Sequence, residues 1–137
     1  MAPRSVSFEK KQSGVEIMAQ ILLVSYVREL IEEKYKVLRS GGHDVTLATE
    51  LTKASQAAEQ QIFDLVVLGF SVPEKERNLL AREIKRKWRD TKVIILYVAS
   101  AGHTEFADVL IREHVSAEEL LRAVNYIINA EDERDVG

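Results

Sequence analysis

Three aliphatic runs show no alternation of apolar and polar side chains: Ile21-Leu22-Leu23-Val24, Leu65-Val66-Val67-Leu68 and Val93-Ile94-Ile95-Leu96 continuing to Tyr97. A strand with one face in water alternates, so runs that are apolar at every position predict strands covered on both faces. Sheets of that kind are parallel and lie between layers of helices. The intervening segments carry helical periodicity. Tyr26 to Ser40 reads as a helix, with Val27, Leu30, Ile31, Lys34 and Leu38 near one face and the Lys34 stem laid along it. Gly41-Gly42 stops it, and Asp44 to Ala48 is a further strand. Leu51 to Gln60 is an alanine-rich helix. A third helix follows Pro73, with Leu80, Ile84 and Trp88 at four-residue spacing expected to face the sheet. The last helix opens on Ser116-Ala117-Glu118-Glu119, which has the capping-box form, and continues with a stripe of Leu120, Leu121, Val124, Ile127 and Ile128. Strands alternating with helices define an α/β chain with a parallel sheet.

A length of 137 residues fits one domain, large enough to bury a core without disulfides or a structural metal. There are no cysteines, which fits a reducing compartment, and a cytoplasmic location is expected. A net charge of −3 excludes a wholly basic nucleic-acid-coating protein. The longest apolar run, Val93 to Ala99, is too short to span a bilayer. Residues 1–17 lack the apolar core of a signal peptide. The expected division is a flexible tail over 1–18, a domain over 19–130 and a charged, frayed tail over 131–137. Met18 offers an alternative translation start.

In order and spacing, residues 20–130 resemble the receiver domain of response regulators. Ile21 to Val24 is similar to that family's first strand, Gly42-His43-Asp44-Val45 to the turn into the second, and Asp64 to Leu68 through Pro73 to the third strand and its loop. Val93 to Leu96 is similar to the fourth strand. Ala107-Asp108 and Ser116 to Leu121 are similar to the approach to the fifth strand and to the last helix. The resemblance implies a doubly wound, flavodoxin-like sheet of five parallel strands in the order 2-1-3-4-5.

The resemblance also locates the family's phosphorylation chemistry, and each position is altered. Gly69 stands where the family has its phosphoacceptor aspartate. Ser25 and Tyr26 stand for the two acidic residues that hold magnesium, a poor replacement because magnesium favours carboxylate and water oxygens. Tyr97 stands for the hydroxyl residue, and Glu113, beside Arg112, for the lysine. His114 stands for the proline that follows that lysine. A glutamate at that lysine position would repel a phosphoryl group. The expectation is no phosphoacceptor, no metal, no cofactor and no catalysis, with the rings of Tyr26 and Tyr97 filling the vacated space. Between Tyr97 and Ala107 the chain is too short for the usual crossover helix, and Ala101-Gly102-His103 contains a helix breaker. That helix, fourth in the family's chain order, is expected to be shortened or missing.

Other candidates are weaker. His43, His103 and His114 lack metal-ligand spacing. Ser25 and Ser71 read as loop-capping residues, since neither sits in a nucleophile turn. There is no glycine-rich phosphate loop. From Arg82 to Lys92 six basic residues, Arg82, Lys85, Arg86, Lys87, Arg89 and Lys92, face Glu83 and Asp90, with Trp88 among them. Such a run usually forms the solvated face of a helix; its functional reading makes Arg82, Lys85, Arg86 and Arg89 a partner-binding patch. The function expected is a phosphorylation-independent pseudo-receiver of two-component, phosphorelay-type signalling that acts on a protein partner, with a homodimer also compatible. No DNA-binding output domain is expected after the last helix. The alternatives are a small-ligand site at the carboxyl ends of the strands and weak nucleic-acid binding through the third helix.

Overall fold

In chain order the elements are β1 (Gln20–Val24), α1 (Arg28–Ser40), β2 (Asp44–Ala48), α2 (Leu51–Gln60), β3 (Leu65–Leu68), α3 (Glu74–Lys87), β4 (Lys92–Tyr97), β5 (Val109–Arg112) and α4 (Ala117–Val136). The structure, a computed structural model, describes residues 18–100, 102 and 105–136. The expected N-terminal tail over 1–17 and His103 lie outside the described residues. The five strands form one sheet in the order β2-β1-β3-β4-β5, and every pairing is parallel. This is the doubly wound, flavodoxin-like architecture that the sequence predicts. No helix among the described residues is long and apolar enough to cross a membrane.

The non-alternating strands bury both sets of side chains. Ile21, Leu23, Leu65, Val67, Ile94 and Leu96 face a layer made by Ile31 and Leu38 of α1 and Leu120, Val124 and Ile128 of α4. The intervening residues, Leu22, Val24, Val66, Leu68, Val93 and Ile95, face Ala54 and Ala58 of α2 and Leu80, Ala81 and Ile84 of α3. A leucine-sized side chain moved fully from water contributes about 2 kcal/mol, so this two-layer core dominates stability.

Several local expectations are corrected. The first helix starts at Arg28, not Tyr26, because Val27 is extended and the Ser25 hydroxyl donates to the Val27 carbonyl at 3.0 Å. Val27 and Leu30 consequently turn outward, while Lys34 is buried with Ile31 and Leu38. Trp88 does not continue the sheet-facing row of α3. It caps the helix, is partly exposed, and donates its indole N–H to the Ala58 carbonyl of α2 at 2.9 Å. The last helix runs on through 131–136, a stretch expected to fray. Its glutamates and arginine favour helix, and no glycine or proline interrupts them before Gly137.

Polar contacts fix the amino ends of the strands. The Ala19 N–H donates to His43 Nδ1 at 3.0 Å, so the His43 Nε2–H donates to Asn125 Oδ1 at 2.7 Å. The Gln20 N–H donates to the Asp64 carboxylate at 2.8 Å, and the Thr91 hydroxyl donates to the Phe63 carbonyl at 2.6 Å. Between β4 and β5 the described residues carry no helix. Phe106 and Ala107 pack against the sheet on that side instead.

Candidate functional site

Doubly wound sheets present their sites where the strands end. Here the carboxyl ends of β1 and β3 lie side by side, with Val24 paired to Leu68. The next residues are Ser25, which is 1% exposed, and Gly69. The Gly69 N–H donates to the Val24 carbonyl at 2.8 Å, and its own carbonyl accepts from the Val72 N–H at 3.1 Å. A Cβ at position 69 would lie 3.1 Å from the Val24 carbonyl oxygen and 3.4 Å from Ser25 Cβ. The glycine is therefore a matter of space. Its φ is not in the left-handed region, and a side chain there would require the Val24 carbonyl to give by a few tenths of an ångström.

Three hydroxyls close this end of the molecule. The Ser25 hydroxyl donates its proton to the Val27 carbonyl, so across the 3.0 Å contact with Ser71 it is the acceptor. Ser71 in turn accepts the Tyr26 N–H at 2.9 Å. The Tyr26 hydroxyl donates to Glu76 Oε1 at 2.5 Å, short as expected for a carboxylate acceptor. Burial, followed by the bond to and charge of Glu76, pushes the Tyr26 phenol well above its usual range. Neither serine has a general base among its hydrogen-bond partners, so the network fixes loops and activates no nucleophile.

The remaining sequence candidates are dispersed. Tyr97 does not fill the space beside Gly69, where the nearest atoms belong to Val24 and Ser25. Its ring instead lies under the Arg112 guanidinium, 5.3 Å from carbon to ring centre, at the β4–β5 margin. Tyr26 occupies the rim, tied to α3 by Glu76. The Glu113 carboxylate turns to α1, where the buried Lys34 ammonium lies 3.4 Å from Oε2 and donates to the Glu113 carbonyl at 3.2 Å. The other carboxylate oxygen of Glu113 is buried without a hydrogen-bond partner. His43 is a structural bridge, and His114 is exposed. Among the described residues no group of three or more histidines, cysteines or carboxylates could hold a metal ion. Ser25, Tyr26 and Gly69 bring no carboxylate to the place where the resemblance puts magnesium, so the residues present do not fit that ion.

The basic run is split. Arg82, Arg86 and Arg89 are exposed, with Arg86 paired to Glu83 at 2.8 Å. Lys85 turns inward instead. Its ammonium lies 2.6 Å from the Asp108 carboxylate and donates to the Thr91 carbonyl at 2.8 Å, while Asp108 also accepts the Val93 N–H. Lys85 thus braces the segment entering β5, and it leaves the candidate surface. The sequence carried no sign of this pairing, or of the bond between Tyr26 and Glu76. Lys34 did carry one, since it was a cation set within an apolar stripe.

No protein-family model matches the sequence, and no curated protein matches it. Solved structures do. A CheY-like response regulator receiver domain from Methanospirillum hungatei superimposes with a TM-score of 0.76 at 21% identity, covering 86% of this chain and 98% of that one. A response regulator from Thermotoga maritima gives 0.71 at 23% identity, with 82% and 98% covered. The inactive regulatory domain of the repressor of iron transport regulator, RitR, gives 0.72 at 24% identity, with 83% and 98% covered. The chain has the receiver-domain fold.

Proposed function

We propose that this chain is a receiver-like signalling module that works through protein contacts, independently of phosphorylation and without catalysis of its own. The observation that carries the reading is the closed end of β1 and β3. Gly69 supplies no acceptor, a side chain there would need the Val24 carbonyl to give by a few tenths of an ångström, and the hydroxyls of Ser25, Ser71 and Tyr26 are engaged with each other, with backbone and with Glu76. A remodelled partner face, with the crossover helix lost between β4 and β5, belongs to the same reading. So does a cytoplasmic setting beside other two-component proteins. The test is intact-mass measurement after incubation with acetyl phosphate and magnesium. No phosphoryl adduct is expected. A stoichiometric adduct on any residue overturns the proposal.

A further inference from the structure

Beyond the closed site, the surface holds a second feature with its own chemistry. A groove of about 260 Å³ runs between α2 and α3. Leu51, Ala58, Leu79, Ile84 and Trp88 give it apolar walls. The small residues of α2 create it: Ser55 and Ala58 face α3 and leave a trough where larger side chains would have met. Trp88 is fixed there by its indole bond to the Ala58 carbonyl, so the wall is rigid. Leu79 stands at the lip of the groove and is 42% exposed, which continues its apolar wall to the surface.

The helical repeat sets charge beside this groove. Leu79, Glu83 and Lys87 lie on the side of α3 that faces the groove, while Lys75, Arg82 and Arg86 lie on the adjoining outward face. Arg89 follows just beyond the helix cap. Glu83 is already neutralised by Arg86. With that pair set aside, the groove and its flank present the cations Lys75, Arg82, Lys87 and Arg89 against the carboxylates Glu59 and Asp90. An apolar trough with a basic shoulder complements a segment with apolar anchors and an acidic flank.

From this we infer that the α2–α3 groove, with Arg82 and Arg86 beside it, is the docking surface for an acidic amphipathic helix of a partner protein. The inference deepens the protein-interaction reading above and rests on it for its setting. Anchors at i, i+3, i+4 and i+7 would enter the trough beside Leu79 and Trp88, and glutamates or aspartates would meet the arginines. Charge on the flank would speed and orient docking, while the apolar anchors would hold it.

Trp88 is the chain's one tryptophan, so its emission reports the groove directly. The probe is a synthetic helical peptide without tryptophan, with leucine and phenylalanine at the anchor positions and glutamate elsewhere. Two control peptides replace each glutamate by lysine or each anchor by serine. The glutamate peptide should shift Trp88 emission saturably and bind at least about tenfold tighter than either control. Leu79→Asp and the pair Arg82→Glu with Arg86→Glu should each weaken binding about tenfold while far-UV dichroism and melting stay unchanged. All of these positions are exposed, so folding is not at issue. Absence of a saturable shift, equal binding of the lysine peptide, or indifference to the substitutions overturns the inference. Salt-sensitive binding of duplex DNA that needs the arginines but not Leu79 also overturns it, in favour of nucleic acid. A concentration-dependent dimer dissolved by Leu79→Asp assigns the groove to a second copy and overturns it likewise. Phosphoryl uptake by a chain that still binds the glutamate peptide would overturn only the closed-site reading, so the two failures are distinct.

Discussion

At the carboxyl ends of β1 and β3, the hydroxyls of Ser25, Ser71 and Tyr26 all have internal partners, and Gly69 packs against the Val24 carbonyl with no room to spare. At the outer margin of the same sheet, β5 alternates between half-buried and exposed residues, Leu110 is 44% exposed, and Tyr97 and Arg112 stack at the surface. The first region has polar groups turned inward and spends them on geometry. The second keeps apolar surface in water. In a domain of this fold the strand ends are the usual place for a ligand, yet here they are the better-sealed part. Sealing is achieved by short polar side chains and a glycine, whereas the described residues between β4 and β5 carry no helix, and Phe106 and Ala107 pack against the sheet there.

The sharpest way to break this contrast is Gly69→Asp. The new Cβ would press on the Val24 carbonyl, and the carboxylate would enter a buried place beside hydroxyls that already have partners. Overpacking and an unpaired charge together should cost about 4 kcal/mol or more, read from denaturant unfolding, with no phosphorylation gained. A neutral effect with magnesium-dependent phosphorylation would show the strand ends to be open. Next comes Glu113→Lys, which sets a second ammonium against the buried Lys34. The expected loss is about 3 kcal/mol, and a stable variant would mean that the end of β5 is as permissive as the rest of its margin.

Tyr26→Phe should cost roughly 1–2 kcal/mol at neutral pH by removing the bond to Glu76. Its alkaline behaviour is more telling. The folded phenol titrates above its unfolded value, so its stabilisation is complete below an unfolded pKa of about 10. It is lost as pH rises toward the folded value, because the unfolded chain then releases the proton first. Melting of the parent chain above that point should fall more steeply than melting of the phenylalanine variant. Parallel curves would detach Tyr26 from the seal. The smallest effect belongs to the margin: Leu110→Ser should change stability by less than about 0.5 kcal/mol in urea titration. A larger loss would show that the loop covers β5 more fully than the exposure of Leu110 indicates.

Legibility in the sequence follows the range of the interactions. Strands buried on two faces wrote themselves as unbroken apolar runs, and the capping box at Ser116 and Glu119 forms both of its bonds at 3.1 Å. Both signals are local. Strand order came through resemblance, because no short-range pattern encodes which strands pair. Trp88 was misplaced because four-residue spacing continues to the residue just past Lys87, where α3 actually ends. Lys85 looked identical to Arg82 and Arg86 in the basic run, and only the approach of Asp108, brought in by the β4–β5 pairing, separates it from them. The seal at Ser25 was half legible. The loss of acidic residues could be read, but the hydrogen bonds that replace them join β1 to a loop and a helix more than forty residues away.

The bridge from Ala19 through His43 to Asn125 bears on how the chain matures during synthesis. It joins the entry to the first strand to the middle of the last helix, 82 positions further on from the histidine. On the same side of the sheet, Ile21, Leu23, Leu65 and Val67 await Leu120, Val124 and Ile128. A growing chain that has made all five strands and α1 therefore still lacks the half of this layer that α4 supplies, and that half of the wall stays bare until α4 leaves the ribosome. Such long-range closure slows folding and exposes adhesive surface while it lasts. Nascent chains halted before Ala117 should be the form that chaperones hold, and completion of α4 the event that releases them.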